Sequence, residues 1–220
     1  WARLKAASHR VRDIHLISHF ASADQADTSQ FERQQRTIES VRRRLDAPVC
    51  VANSPATLTR PRTHGQWNRP GVMLYGSNPL EGELPPGVSL KPVMTLRSRL
   101  IAVQSLSGGE PVGYGARWHT SRPSRIGVVA AGYGDGYDRH AADGTPILVD
   151  GQRCPLVGRV SMDMLTVDIS HLPDAGVGSE VVLWGQGLSV DEVAGHCNTI
   201  GYTLLTGLLP RVPRRYHEGA

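Results

Sequence analysis

Residues 78–90 read "NPLEGELPPGVSL", and the fold is decided by the contrast between the residues on either side of this stretch. Its three prolines and two glycines cannot sustain a helix or a central strand, so it reads as a linker. Before it, strands and helices alternate. "DIHLISHF" (13–20) reads as a strand, with Ile14, Leu16 and Ser18 on one face and His15, Ile17 and His19 on the other. A helix over 30–45 comes next, entered through a capping-box pattern at Ser29-Gln30-Phe31-Glu32. "APVCVANS" (47–54) is a short buried strand, 55–60 a second short helix, and "GVMLYG" (71–76) a further apolar strand; residues 1–10 also look helical. Such alternation predicts a parallel α/β sheet or barrel. An α/β barrel takes about 250 residues, and a start at Trp1 without methionine suggests that its front part is absent.

Beyond the linker the period changes. Short alternating strands dominate, in "VMTLRSRLIAV" (93–103), "RIGVVAAGY" (125–133), "TPILVDGQRCPLVGRVSMDMLTVDI" (145–169) and "EVVLWG" (180–185). Asp150-Gly151 is a two-residue hairpin signal. One helix interrupts at 190–197, introduced by Ser189-Val190-Asp191-Glu192. The expected division is an α/β part over 1–85 and a mainly β part over 90–220.

Composition narrows the function classes. No stretch approaches the roughly 18 apolar residues of a membrane span, and the N-terminus lacks the apolar segment of a signal peptide, so a cytoplasmic location is expected. The formal net charge is +4, yet the basic residues are scattered. The densest run, Arg42-Arg43-Arg44, lies in a helical pattern with Glu32 and Glu39 nearby, the mark of a solvated face and not of a nucleic-acid surface. Three cysteines at 50, 154 and 197 fit neither a disulfide framework nor a C-x-x-C metal site. Among the 24 basic residues the only lysines are Lys5 and Lys91.

Candidate site residues collect where barrel chemistry collects, at strand C-terminal ends: His19, Asn53-Ser54, and Asn68-Arg69-Pro70-Gly71. Singly, each has a plain reading, as a hydrogen-bonded core histidine, an N-cap and an ion-paired arginine. Together, a serine hydroxyl, a glycine N–H and a helix start suit a phosphate, and an arginine and a histidine suit a heteroatom-bearing aromatic ring. In the β part, "AGYGDGYDRHA" (130–140) comes after a strand-like run and holds a tyrosine among three glycines.

The motifs "SHFASAD" (18–24), "ANSPA" (52–56), "RPGVMLYG" (69–76), "PVGYGARW" (111–118), "GYGDGYDRH" (132–140), "GRVSMDMLTVD" (158–168) and "RVPRRY" (211–216) occur in the order expected of the alanine racemase family, which this chain resembles from about residue 14 to 216. The resemblance implies the last part of a TIM-type (β/α)8 barrel that binds pyridoxal 5'-phosphate, followed by a β-barrel-like C-terminal domain. It implies interconversion of L- and D-alanine by two-base proton transfer, supplying D-alanine for the cell wall or serving alanine catabolism, in a head-to-tail homodimer. His19 would lie by the cofactor ring. Asn53, Ser54, Gly71 and Val72 would belong to the cofactor pocket, the last three at the phosphate with Tyr202. Arg69 would face the pyridine nitrogen, where a guanidinium keeps its proton and leaves the ring a weak electron sink. Tyr133 would serve one face of the α-carbon from the partner subunit. An unassisted phenol ionises at about pH 10, so the resemblance asks for help from His19 and Arg69. Met162 would offer its backbone N–H to the substrate carboxylate, and Tyr137 would only pack.

Departures from the family pattern matter as well. The family's second base is a lysine of the first barrel strand that also anchors the cofactor, and neither Lys5 nor Lys91 matches it. The family's early-barrel arginine for the substrate carboxylate also has no match, and Thr203 stands where related sequences often carry glutamate. The chain taken alone is therefore expected to be inactive. Alternatives are a truncated chain that folds or dimerises without catalysing, a racemase of broader specificity, and a basic-amino-acid decarboxylase relative, which "GYGDGY" and "SMDM" argue against.

Overall fold

The computed structural model describes residues 2–6, 8–10, 13–44 and 47–217. The chain divides into two compact units, Trp1–Lys91 and Pro92–Ala220.

The first unit begins with a short helix α1 (Ala2–Ala6) and a 3-10 turn, Ser8–Arg10. Strand β1 (Leu16–Ile17) leads to helix α2 (Ser29–Arg42), strand β2 (Val49–Cys50) and helix α3 (Ser54–Thr59). β1 and β2 pair in parallel, Leu16 against Val49 and Ile17 against Cys50. Phe20, Phe31, Val49, Val51, Ala52 and Ala56 form the small core, with the two phenyl rings 4.8 Å apart. A parallel pair beside helices is the coarse pattern expected, and the strand expected over 13–20 is two residues long. Ile17, on its other face, is 63% exposed.

Two further expectations in this unit are corrected. "VMLY" is a 3-10 helix, Val72–Tyr75, closed by Gly76 at φ 86°. The backbone that runs beside β2 is instead Trp67–Arg69, whose N–H groups donate from Trp67 to the Val49 carbonyl (3.4 Å) and from Arg69 to the Ala52 carbonyl (2.8 Å). Four apolar residues carry too little period to separate the two forms. At the start of α2 the N-cap is Thr28, without a side-chain cap bond. The Ser29 hydroxyl turns back to Asp27 at 3.1 Å, so the anticipated capping box does not form.

The second unit is built on a six-stranded antiparallel sheet. Its strands are β3 (Leu96–Leu106), β6 (Ser124–Val129), β7 (Pro146–Val149), β8 (Gln152–Pro155), β9 (Leu165–Asp168) and β10 (Glu180–Trp184), in the order β8-β7-β10-β3-β6-β9. A separate two-stranded ribbon pairs β4 (Pro111–Val112) with β5 (Trp118–His119). The long β3 pairs with β10 through its first half and with β6 through its second, with a register shift in each ladder. Such irregularities bend a strand and tighten its twist, and the sheet curls until Leu156, just past β8, bridges Val167 of β9. Val129, Ile147, Val149, Val167, Val181 and Leu183 fill the interior. The hairpin between β7 and β8 turns at Asp150 (φ 47°) and Gly151 (φ 79°), as Asp-Gly predicts. Helix α4 (Val190–His196) is capped by the Ser189 side chain, which accepts from the Asp191 N–H. A last helix, α5 (Gly201–Thr206), was not anticipated.

Cys50, Cys154 and Cys197 are all free and buried. Burial pushes the Cys154 thiol up to about 11 and the Cys197 thiol up to about 12, so neither is a thiolate nucleophile. Among the described residues no helix is long and apolar enough to cross a membrane.

Candidate active site

Six of the expected site residues lie in the first unit, and hydrogen bonds tie five of them into two groups. The Arg69 guanidinium donates to the Ser18 carbonyl at 2.8 Å and to the Cys50 carbonyl at 2.6 Å, straddling the ends of β1 and β2. It also approaches the Cys50 Sγ (3.1 Å) and the His19 Nδ1 (3.4 Å). On the other side of His19, its Nε2 lies 3.3 Å from the Asn53 amide. Asn53 is the N-cap of α3, where its Oδ1 accepts the Ala56 N–H, and its amide donates to the Phe20 carbonyl. Asn53, and not Ser54, therefore does the capping.

That division of labour leaves Ser54 available. Its buried hydroxyl accepts the Gly71 N–H at 2.7 Å, which joins the start of α3 to the turn before Val72 and leaves the hydroxyl proton for another acceptor. The first unit thus presents a hydroxyl, a backbone turn, a fixed guanidinium and an exposed imidazole.

Tyr133, Met162 and Tyr202 belong to the second unit. Tyr133 opens a 3-10 turn, Tyr133–Asp135, and its N–H donates to the Ser161 carbonyl at 3.0 Å. In a trans peptide the carbonyl and the next N–H point opposite ways, so this bond aims the Met162 N–H away from the tyrosine loop. That N–H meets no acceptor among the described residues, while the Met162 carbonyl takes the Gly134 N–H at 2.8 Å. The glycines of "GYGDGY" are required by this close approach. A Cβ on Gly132 would lie 2.3 Å from the Ser161 carbonyl oxygen, and one on Gly134 would lie 2.6 Å from the Arg211 guanidinium. Asp135 closes the turn by accepting the Gly132 N–H at 2.9 Å.

Arg211, in "RVPRRY", was not singled out from the sequence. Its Nε donates to the Asp135 Oδ1 (2.8 Å) and its terminal nitrogen to the Asp163 Oδ1 (2.8 Å) and the Met162 carbonyl (3.3 Å). Both carboxylates hold its guanidinium above the ordinary arginine range. No local pattern marks such a residue, because its partners lie 76 and 49 positions away.

The tyrosines differ sharply. Tyr137 is 1% exposed and lies in the core; burial drives its phenol far above the usual value. Tyr202 sits on α5 and is partly exposed. Tyr133 is 36% exposed, with the Arg139 guanidinium over its ring at 5.8 Å. Tyr114 is 72% exposed, on a turn between Gly113 (φ 78°) and Gly115 (φ 74°), and it lines a groove of about 490 Å³ with Arg159, Ser161 and Met164. The sequence did hold a signal for it: Gly113-Tyr114-Gly115 repeats Gly132-Tyr133-Gly134.

Residues 1–79 match the family described as "Alanine racemase, N-terminal domain", and residues 93–216 match "Alanine racemase, C-terminal domain". An alanine racemase of Chromohalobacter salexigens is 68% identical over 218 residues, which is 99% of this chain and 60% of that protein. The crystal structure of biosynthetic alanine racemase from Pseudomonas aeruginosa superposes with a TM-score of 0.88 at 50% identity, covering 99% of this chain and 62% of that one. The alanine racemase of Bartonella henselae with covalently bound pyridoxal phosphate superposes with a TM-score of 0.87 at 28% identity, covering 98% and 60%. The chain therefore spans about three fifths of the length of the relatives it matches. With both family domains matched in order along it, this chain belongs to the alanine racemase family.

Proposed function

We propose that the chain is the larger, C-terminal part of a cytoplasmic, homodimeric alanine racemase that interconverts L- and D-alanine with pyridoxal 5'-phosphate. In this reading the first unit is the last part of a (β/α)8 barrel. The observation that carries the proposal is the first-unit cluster, in which Arg69, His19 and Asn53 are linked by hydrogen bonds and Ser54 by another to Gly71. The donor set fits the cofactor. Ser54 retains a hydroxyl proton for a phosphate, Gly71 and Val72 supply the turn beside it, and His19 offers an exposed ring face. Arg69 would hold the pyridine nitrogen with a donor that keeps its proton. In the second unit Tyr202 would complete the phosphate contacts. When bound, the cofactor supplies a sink for the electron pair left behind as the α-proton departs.

This chain's own residues then orient the substrate and move one proton. Met162 presents the unengaged N–H that a carboxylate requires. Inverting the α-carbon needs two acid/base groups on opposite faces, one of them the family lysine, which no motif of this chain contains. The other must be lent to the partner subunit's site, so it has to stand clear of its own chain. The family motif "GYGDGYDRH" assigns this role to Tyr133, and we propose Tyr133 for it. Tyr133 is 36% exposed on a glycine-framed turn, with the Arg139 guanidinium over its ring. Its turn is held on the Ser161 and Met162 carbonyls, which keeps it beside the backbone proposed to meet the substrate carboxylate.

The test uses the full-length protein, assayed for D-alanine formation and for solvent-deuterium exchange from each enantiomer. Tyr133→Phe is expected to lower kcat by roughly 10²–10⁴-fold, with exchange lost mainly from one enantiomer, and Tyr114→Phe by much less. The reverse ranking would move the base to Tyr114. Absence of racemisation in the wild-type full-length protein overturns the proposed function.

A further inference from the structure

We infer that Arg211 is a positioning residue for the substrate carboxylate: by holding the peptide unit after Met162 it works together with the Tyr133 N–H, which holds the unit before it, to fix the aim of the Met162 N–H. The inference rests on the racemase reading. Three chain segments far apart in sequence meet at the guanidinium. It bonds to Asp135 behind the tyrosine turn, to Asp163, and to the carbonyl of Met162 itself. The backbone ties the same segments together, with Leu209 donating to the Asp135 carbonyl at 3.1 Å.

The geometry makes the Met162 peptide units dependent on these contacts. The unit before Met162 is fixed by the Tyr133 N–H on Ser161, and the unit after it by two donors, Gly134 and Arg211. Of these, only Arg211 reaches from outside the tyrosine loop, and only it also holds the neighbouring Asp163 carboxylate. Two carboxylates at 2.8 Å from one planar cation define its orientation in a way that a lysine ammonium cannot reproduce. Gly134 leaves the space that the guanidinium occupies. Loss of Arg211 leaves Asp135 and Asp163 without their shared cation and removes one of the two donors that hold the Met162 carbonyl. The consequence falls on carboxylate binding, and not on the first-unit residues proposed to hold the cofactor.

The test compares full-length wild type, Arg211→Met and Arg211→Lys. The measurements are KM and kcat for alanine, competitive inhibition by propionate, and the thermal midpoint. Arg211→Met is expected to raise KM and the propionate inhibition constant together by roughly tenfold, the effect of losing charge-assisted bonds that fix a binding group, with a smaller change in kcat. Arg211→Lys, which retains the charge and protects against a failure to fold, is expected to fall between the two. A purely structural role would lower the thermal midpoint and leave both constants within about twofold of wild type; that result, with an active wild type, overturns this inference alone. An inactive wild type overturns it together with the racemase reading.

Discussion

Tyr137 and Tyr133 stand four residues apart and have opposite fates. Tyr137 packs into the core with its hydroxyl buried and without a hydrogen-bond partner among the described residues. A buried unsatisfied hydroxyl costs about 1–3 kcal/mol, so Tyr137→Phe is expected to leave stability unchanged or raise it by up to about 1 kcal/mol. Denaturant unfolding of the full-length protein checks this, and a clear loss of stability would mean that a water satisfies the hydroxyl. The sequence supported the packing role of Tyr137 only by giving it no other. It made His19, Ser54 and Arg69 candidates because polar residues beside the ends of α/β strands are where such folds collect chemistry. It hid Arg211, whose role depends on three loops meeting in space.

The loop around Tyr133 shows how little freedom a glycine-rich turn can have. Gly136 sits at φ 100°, and a Cβ there would lie 2.3 Å from the Gly207 carbonyl oxygen. The left-handed backbone alone costs a substituted residue about 1–3 kcal/mol, and the contact adds to it. Gly136→Ala is therefore expected to destabilise by at least about 2 kcal/mol, seen as a lower thermal midpoint with a reduced yield of folded protein. An unchanged midpoint would show that the segment after α5 yields. Elements with a strong local signal were read correctly from the sequence. The Asp150-Gly151 hairpin and the helix after Ser189 depend on residues a few positions apart. The stretch 71–76 misled because an apolar run of four residues fits a strand and a 3-10 turn equally, and tertiary pairing went to Trp67–Arg69 instead. Helix α5 escaped because its N-cap, Ile200, makes no side-chain cap bond.

Across the second unit, Arg153 on β8 and Glu192 on α4 form a two-pronged ion pair. The arginine's hydrogen bond holds the Glu192 carboxyl below its usual range. A carboxyl lowered on folding stabilises above its unfolded value of about 4.3, and that stability is lost as pH falls through the folded value. The pair is largely exposed, so the effect is small. Glu192→Gln is expected to lower the thermal midpoint slightly at neutral pH, with the difference from wild type vanishing as pH falls below about 4.3 and through the lower folded value; a constant difference at every pH would assign the loss to packing. At this scale the change from alternating elements to short strands was legible in the sequence. The closure of the sheet was not, because the register shifts that bend β3 have no composition of their own. That closure has a consequence for assembly. With β8 turned back toward β9 by the Leu156–Val167 bridge, the sheet has little open edge for an incoming strand to extend. Two copies meeting through this unit would have to join by loops and side chains, and strand exchange between them is disfavoured.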